Sequence, residues 1–176
     1  MVARSRSAEV AVARGGVYVL LVQLPGRRRL RVGRLGRRWF RPGWYCYVGS
    51  AQRSLEARLQ RHARREKTQR WHIDGLTGMG EVMGAWFLEA PKPVECLWAG
   101  ELARRGQVVS GFGASDCGCG GHLVRFASRR EAVEAVAAGW SGLPGGSDPV
   151  AGKPGWWPAK PGGTKPAGTK IFGKKG

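Results

Sequence analysis

An α+β domain, with a small antiparallel-containing sheet flanked by helices and a disordered basic tail, is what this sequence predicts. Three observations carry that reading. Short β-branched and aromatic runs bounded by glycine and proline are mixed with a few stretches of helical spacing. The 176 residues are 42% hydrophobic, enough for one packed core but too short a chain for two ordinary domains. Beyond Leu143 the composition changes abruptly to proline, glycine and lysine.

The expected organisation is a flexible basic arm over 1–14, one domain over 15–143 and the tail over 144–176. Residues 1–14 are polar and Arg-rich. Val17 to Leu24 is aliphatic between Gly15-Gly16 and Pro25-Gly26, which reads as a buried strand. Arg27 to Arg38 alternates arginine with Leu30, Val32 and Leu35 and reads as a basic hairpin extension. Trp44 to Val48 follows Pro42-Gly43 as a second strand, able to pair antiparallel with the first. Ser54 to Lys67 has helical spacing, with Leu55, Leu59 and His62 or Ala63 on one stripe. Gly84 to Glu89 is a short strand. Pro91 and Pro93 break the chain before a helix over Glu95 to Arg105, with Leu97, Trp98 and Leu102 inward. Leu123 to Ala127 is the last strand, and Ser128 with Glu131 forms a capping box for a helix ending near Ala138.

The tail holds six of the ten prolines and nine of the 29 glycines, with six lysines against one aspartate. Such a segment buries too little apolar surface to offset its ordering entropy, so it is expected to contribute little to stability. Trp156-Trp157 are its candidate stacking residues.

The net charge is +18, from 30 Lys+Arg against 12 Asp+Glu, and points to a polyanionic partner. Residues 27–70 hold 15 basic groups, 14 of them arginine, against Glu56 and Glu66. Arginine's planar fork suits phosphate oxygens. The candidate nucleic-acid contacts are Arg27, Arg28, Arg29, Arg31, Arg34, Arg37, Arg38, Arg53, Arg61, Arg64 and Arg65; a merely solvated face is the alternative. The longest apolar run, Val17 to Leu24, is far too short to span a bilayer, so no membrane role is expected. No apolar signal core follows Arg4 and Arg6, so the expected compartment is the cytoplasm, with Cys46, Cys96, Cys117 and Cys119 reduced.

The chemistry-bearing residues come in a definite order. Gly16-Val17-Tyr18 opens the first strand and Tyr47-Val48-Gly49 closes the second. Arg58 follows on the helix, with His62 one turn later on the same face. Trp71-His72-Ile73-Asp74, Glu95-Cys96 and Gly111-Phe112-Gly113-Ala114-Ser115-Asp116-Cys117-Gly118-Cys119 complete the series. This order resembles the GIY-YIG nuclease family, and most closely a small branch of it carrying these last three segments. The resemblance spans about residues 15–126.

It implies a divalent-metal-dependent endonuclease. Glu95 would hold a single Mg²⁺ or Mn²⁺, Arg58 would neutralise the scissile phosphate, and Tyr18 and Tyr47 would position or deprotonate the attacking water. Which tyrosine is the base stays open. His62 would assist proton transfer, and His72 matches a histidine found in part of the family. Fusion of similar proteins to base-excision glycosylase domains leans the expectation to DNA rather than RNA, and to repair. Taken singly, each residue has an ordinary structural reading, the tyrosines as strand aromatics and Glu95 as a first-turn helix carboxylate. The alternative for the whole is a non-catalytic nucleic-acid-binding module on the same fold.

There are departures from the family pattern. Tyr18 and Tyr47 are 29 residues apart, more than the usual connector, and the basic insertion 25–43 accounts for the excess. Ser50-Ala51 stand where many members carry lysine, leaving that cationic role vacant or passed to Arg53. Gly75 follows Asp74 where an aromatic is expected.

Cys117-x-Cys119-x-x-His122, with Cys96 as a fourth ligand, offers a zinc site. The cluster lacks the usual paired Cys-x-x-Cys, so a glycine-rich tight turn with small buried cysteines is the favoured reading over zinc.

Overall fold

A computed structural model of the chain describes residues 14–143 and 154–159. The expected arm over 1–14 lies outside the described residues except for Arg14, whose carbonyl accepts from the Leu55 amide. Along the chain come β1 (Gly16–Leu24), β2 (Arg28–Arg31), a 3-10 turn (Gly33–Leu35), β3 (Arg37–Phe40), β4 (Gly43–Ala51), α1 (Leu55–Ala63) and α2 (His72–Met79). They are followed by β5 (Glu81–Leu88), α3 (Pro93–Ala103), β6 (Gln107–Val108), β7 (Leu123–Phe126), α4 (Arg129–Ser141) and β8 (Gly155–Pro158). The fold is α+β, as the sequence predicts.

Six strands form one sheet in the order β6-β7-β4-β1-β5-β8, every neighbouring pair antiparallel. β1 lies inside it and is covered on both faces. That is why its sequence is a continuous apolar run and not an alternation. Tyr18, Leu20, Val22 and Leu24 face one core with Leu55, Leu59, Ile73 and Leu76 of α1 and α2. Val17, Val19 and Leu21 face a second core with Trp98 and Leu102 of α3 and Ala132 and Val136 of α4. The basic insertion is the hairpin β2–β3, with Leu30 opposite Arg38 and Arg28 opposite Phe40. Buried Leu30, Val32 and Phe40 anchor it, leaving most of its arginines in solvent.

Helix ends differ from the sequence expectation for local reasons. α1 stops at Ala63, short of Lys67. The Lys67 ammonium turns back and donates to the carbonyls of His62 and Arg64, each at 2.7 Å, satisfying the open C-terminus. The sequence does not predict α2, because Gly75 and Gly78 weaken an eight-residue helix. The Asp74 carboxylate sets its start, accepting from the Arg70 and Trp71 amides at 2.7 and 3.0 Å. In α3, Trp98 and Leu102 point inward as expected, but Leu97 is 48% exposed. In α4 the Ser128 hydroxyl accepts from the Glu131 amide at 3.2 Å, and the helix continues to Ser141.

The expectation of a wholly disordered tail needs correction. Gly155–Pro158 adds to the sheet as β8 beside β5. Trp156 packs on Trp86 with ring centroids 4.7 Å apart, and Trp157 packs against the other core. Two adjacent tryptophans bury enough apolar surface on the two faces of a strand to overcome a local composition that otherwise disfavours order. Residues 144–153 and 160–176 lie outside the described residues. Truncation after Leu143 is therefore expected to lower the melting temperature by roughly 5 °C, since a loss of a few kcal/mol shifts a chain of this size by that much. Differential scanning calorimetry on the two chains checks it; an unchanged transition would mean the β5–β8 pairing carries no stability.

Candidate active site

Tyr18 and Tyr47 meet because strand register puts them on one face. Tyr18 lies opposite Gly49 and Tyr47 opposite Leu20. The ring centroids are 6.4 Å apart. Gly49 is required by the packing: a Cβ there would stand 2.6 Å from the Tyr18 hydroxyl oxygen. Gly113 makes the matching close approach from the other side, at φ +72°, with a Cβ position 2.9 Å from the Tyr47 ring. The glycine of Tyr-x-Gly thus makes room for the phenol of Gly-x-Tyr.

An open cleft of ≈ 460 Å³ lies over these rings. Tyr18, Tyr47, Arg58, His72 and Glu95 all line it, together with Ser50, Arg70, Trp71, Lys92, Ser115 and Asp116. Five of the six expected catalytic residues therefore share one cavity. The sixth, His62, sits beneath it, fully buried, with Nε2 2.8 Å from the Tyr18 hydroxyl.

The His62 pair is electrostatically unusual. Burial above all, then Lys67, pushes the imidazole down to about 3, so it is neutral at ordinary pH. Among the described residues its Nδ1 has no hydrogen-bond partner, and it faces the Asp74 carboxylate at 4.0 Å. The proton is accordingly assigned to Nδ1, nearer the carboxylate, leaving Nε2 to accept from Tyr18. Burial, with the neighbouring Tyr47, holds the Tyr18 phenol well above its ordinary range, while Arg58 opposes this. Tyr47 is raised as well, chiefly by burial.

The sign of the His62 shift makes a prediction. The folded state keeps it neutral, whereas the unfolded chain takes up its proton below about pH 6.5. Its contribution to stability is present above that pH and is lost progressively as pH falls towards 3. His62→Gln should flatten the upper part of this acid limb, read as unfolding free energy against pH. Identical wild-type and variant profiles would mean that His62 is not desolvated.

Asp74, to which the sequence assigns no role, organises the floor. Arg61 grips it bidentately at 2.9 and 3.0 Å. Despite burial, that grip and the two amides hold its carboxyl below the usual range. Arg61, expected among the phosphate contacts, is thus occupied within the fold. The guanidinium carbons of Arg58 and Arg61 each lie 4.1 Å from the Trp71 ring centroid, which fixes Arg58 at the cleft wall. His72 Nδ1 accepts from the Gly113 amide at 3.3 Å, so its Nε2 is the protonated nitrogen of the neutral ring.

Ser50 lines the cleft without a cation beside it in sequence, and the lining cations come from elsewhere in the chain. Arg53 lines a neighbouring groove and not this cleft. Lys92 and Arg70 line the cleft, and Lys92 pairs with Asp116 at 2.8 Å. Neither stands out in the sequence; the position of Lys92, one turn before Glu95, is the readable signal.

Glu95 comes from the first turn of α3, half its carboxylate already committed. Oε1 lies 2.9 Å from His122 Nδ1, while Oε2 has no hydrogen-bond partner among the described residues. Burial lowers the His122 pKa, but the hydrogen bond and charge of Glu95, together with Cys117, raise it overall. On its far side His122 joins Cys96, Cys117 and Cys119, whose ligand atoms all lie within 4.8 Å of one another. These four side chains form a group that can hold a metal ion. The tight-turn reading captures the backbone, since Gly111 and Gly120 close the loop at 2.7 Å, but not this convergence.

The hairpin borders the cleft. Gly33 approaches His72 so closely that a Cβ would meet Nε2 at 2.6 Å, and Arg38 donates to the Ser110 carbonyl at 3.0 Å. Trp39 stands 57% exposed at its surface, with the Arg27 guanidinium 4.4 Å from the ring centroid. Arg27, Arg28, Arg29, Arg31, Arg34 and Arg37 are exposed around it, as are Arg53, Arg64 and Arg65 near α1. No helix among the described residues is long and apolar enough to cross a membrane.

Residues 17–143 match the family described as Domain of unknown function DUF123. No curated protein and no solved structure matches the chain.

Proposed function

The chain belongs to the DUF123 family, and from its cleft we propose that it is a divalent-metal-dependent endonuclease acting on DNA, in the manner of the GIY-YIG nucleases its sequence resembles. The observation that carries this is the convergence of Tyr18, Tyr47, Arg58, His72 and Glu95 on one basic-rimmed cleft, with His62 behind Tyr18.

The donor set suits Mg²⁺ or Mn²⁺. A single carboxylate, with one oxygen free in an open cleft, fits an ion that keeps most of its waters. Glu95 would hold such an ion, which would supply neutralisation of charge developing on the phosphate and leaving oxygen. Arg58, held by Trp71, clamps a non-bridging phosphate oxygen. Tyr18 is the favoured water-positioning group: its hydroxyl proton is held by neutral His62 Nε2, which turns the oxygen to accept from the attacking water, and the water's proton leaves to solvent through the open cleft. Asp74 faces the other nitrogen and fixes the tautomer. Tyr47 orients the water, and the protonated Nε2 of His72 is a donor at the cleft edge. DNA rather than RNA, and a part in repair, follow from the resemblance. The hairpin provides the strand-tracking surface, with Trp39 as a stacking platform.

A substrate panel tests this: duplex, nicked, abasic, branched and single-stranded DNA and RNA, each with Mg²⁺, Mn²⁺ or EDTA. Metal-dependent cleavage of DNA supports the proposal; binding without cleavage of any substrate would favour a binding module, a reading consistent with the resting neutrality of both Tyr18 and His62.

Clamping and general charge are separable. Arg58→Ala should lower turnover sharply with little change in the salt dependence of binding. Replacing Arg28, Arg31 and Arg34 with alanine should instead reduce the slope of log affinity against log salt, by up to roughly 0.9 for each phosphate that is no longer neutralised. Fluorescence anisotropy titrations over a salt series read both. If the two variants shifted the slope alike, Arg58 would be an ordinary surface cation.

A further inference from the structure

We propose that Cys96, Cys117, Cys119 and His122 bind a zinc-class ion, and that this ion, through His122, fixes the orientation of Glu95 in the cleft. The first half stands independently; the second rests on the proposed role of Glu95.

The distances fit a tetrahedral centre. With metal–sulfur bonds near 2.3 Å and metal–nitrogen bonds near 2.0 Å, sulfur and nitrogen ligands on a tetrahedron lie about 3.5 Å apart. His122 Nε2 is 3.4 Å from Cys117 Sγ and 3.9 Å from Cys96 Sγ, and Cys119 completes a set confined within 4.8 Å. Three soft thiolates with one imidazole select zinc over the hard cation expected in the cleft.

The tautomer fits as well. Glu95 accepts at His122 Nδ1, which places the proton there and leaves the Nε2 lone pair directed to the three sulfurs. A carboxylate–histidine–metal relay has this arrangement. Here the carboxylate is also a wall of the cleft, so one residue, His122, bridges the two sites.

The surrounding chain needs such a tie. Residues 111–121 contain one large apolar side chain, Phe112, among five glycines. The loop is closed at its base by Gly111 to Gly120 and His122 to Phe112 backbone bonds, both 2.7 Å. Beyond them, Ser115, Asp116, Gly118 and Gly120 are exposed. An ion shared by Cys117, Cys119, His122 and Cys96 of α3 crosslinks this loop to the helix that carries Glu95.

The test measures metal directly, apart from any cleavage. The full chain, purified under reducing conditions, should carry about one equivalent of zinc by plasma emission. Cobalt substitution should give visible bands of a tetrahedral site and an intense thiolate-to-cobalt charge-transfer band. Cys117→Ser and Cys119→Ser should each weaken that band, while Cys46→Ala, which alters a buried thiol in β4 outside the cluster, should not. Glu95→Gln should retain the bands but weaken metal affinity about 10–100-fold, as happens when the carboxylate behind a metal-bound histidine is removed. Wild-type protein without zinc, giving no charge-transfer band with cobalt and with Cys96, Cys117 and Cys119 freely titratable in the native state, overturns the site, whether or not DNA is cleaved. A zinc-loaded protein in which Glu95→Gln leaves affinity unchanged overturns the relay. A zinc-loaded protein that cleaves nothing supports the site and removes only the nuclease reading.

Discussion

Tyr18→Phe is expected to bind DNA within a few-fold of wild type and to lose about 100-fold in single-turnover cleavage, the size of loss that follows when the attacking water is no longer positioned. The substitution removes one oxygen and keeps the ring that packs between β1 and α1. Stability should fall by about 1–3 kcal/mol, because the buried His62 Nε2 is left without a partner. Tyr47→Phe should be milder, since among the described residues no histidine is hydrogen-bonded to the Tyr47 hydroxyl to fix its direction. Single-turnover rates for both variants at saturating protein decide the assignment. Equal losses would mean that the tyrosines act as a unit, and a larger loss at Tyr47 would reverse their roles.

Glu95→Gln should lose cleavage by about 100-fold or more while binding DNA as well as wild type, or slightly better. The carboxylate is the buried acidic group of the cleft wall, and the amide keeps its shape while removing the charge that holds the ion. Binding need not suffer, because a negative charge facing phosphate is removed. Rate against Mg²⁺ concentration reads the effect: the variant should stay slow even at concentrations that saturate wild type. Full rescue by excess Mg²⁺ would reduce Glu95 to an affinity determinant, and unchanged rates at low Mg²⁺ would remove it from the site.

Much of the fold is legible in the sequence because its signals are local. β1 announces itself as an uninterrupted aliphatic run between glycine and proline, and α4 by the Ser128 and Glu131 cap. The elements that escape such reading depend on tertiary partners. α2 has poor helix formers at Gly75 and Gly78 and is held by Asp74, which is itself held by Arg61 on another helix. β8 lies in a segment whose composition argues for disorder, and only the tryptophan faces against β5 order it. The same division holds at the cleft. Tyr18, Tyr47, Arg58 and Glu95 are readable from their order along the chain. Arg70 is not, since a single cation on a basic chain carries no signal until the fold places it, and Lys92 is signalled only by its place one turn before Glu95. The set Cys96, Cys117, Cys119 and His122 is readable as a candidate cluster, whereas the contact of His122 with Glu95 is not, because only the fold brings those two residues together.

If this cleft breaks phosphodiester bonds, single-turnover cleavage of DNA by wild type, Tyr18→Phe and Glu95→Gln will show it, side by side in Mg²⁺ and in EDTA, with binding measured on the same samples. Wild type should cleave only with metal and all three should bind, with both variants slowed by about 100-fold or more. Wild type that binds as tightly but cleaves no faster than the variants, or cleaves equally in EDTA, would contradict a hydrolytic role for the cleft.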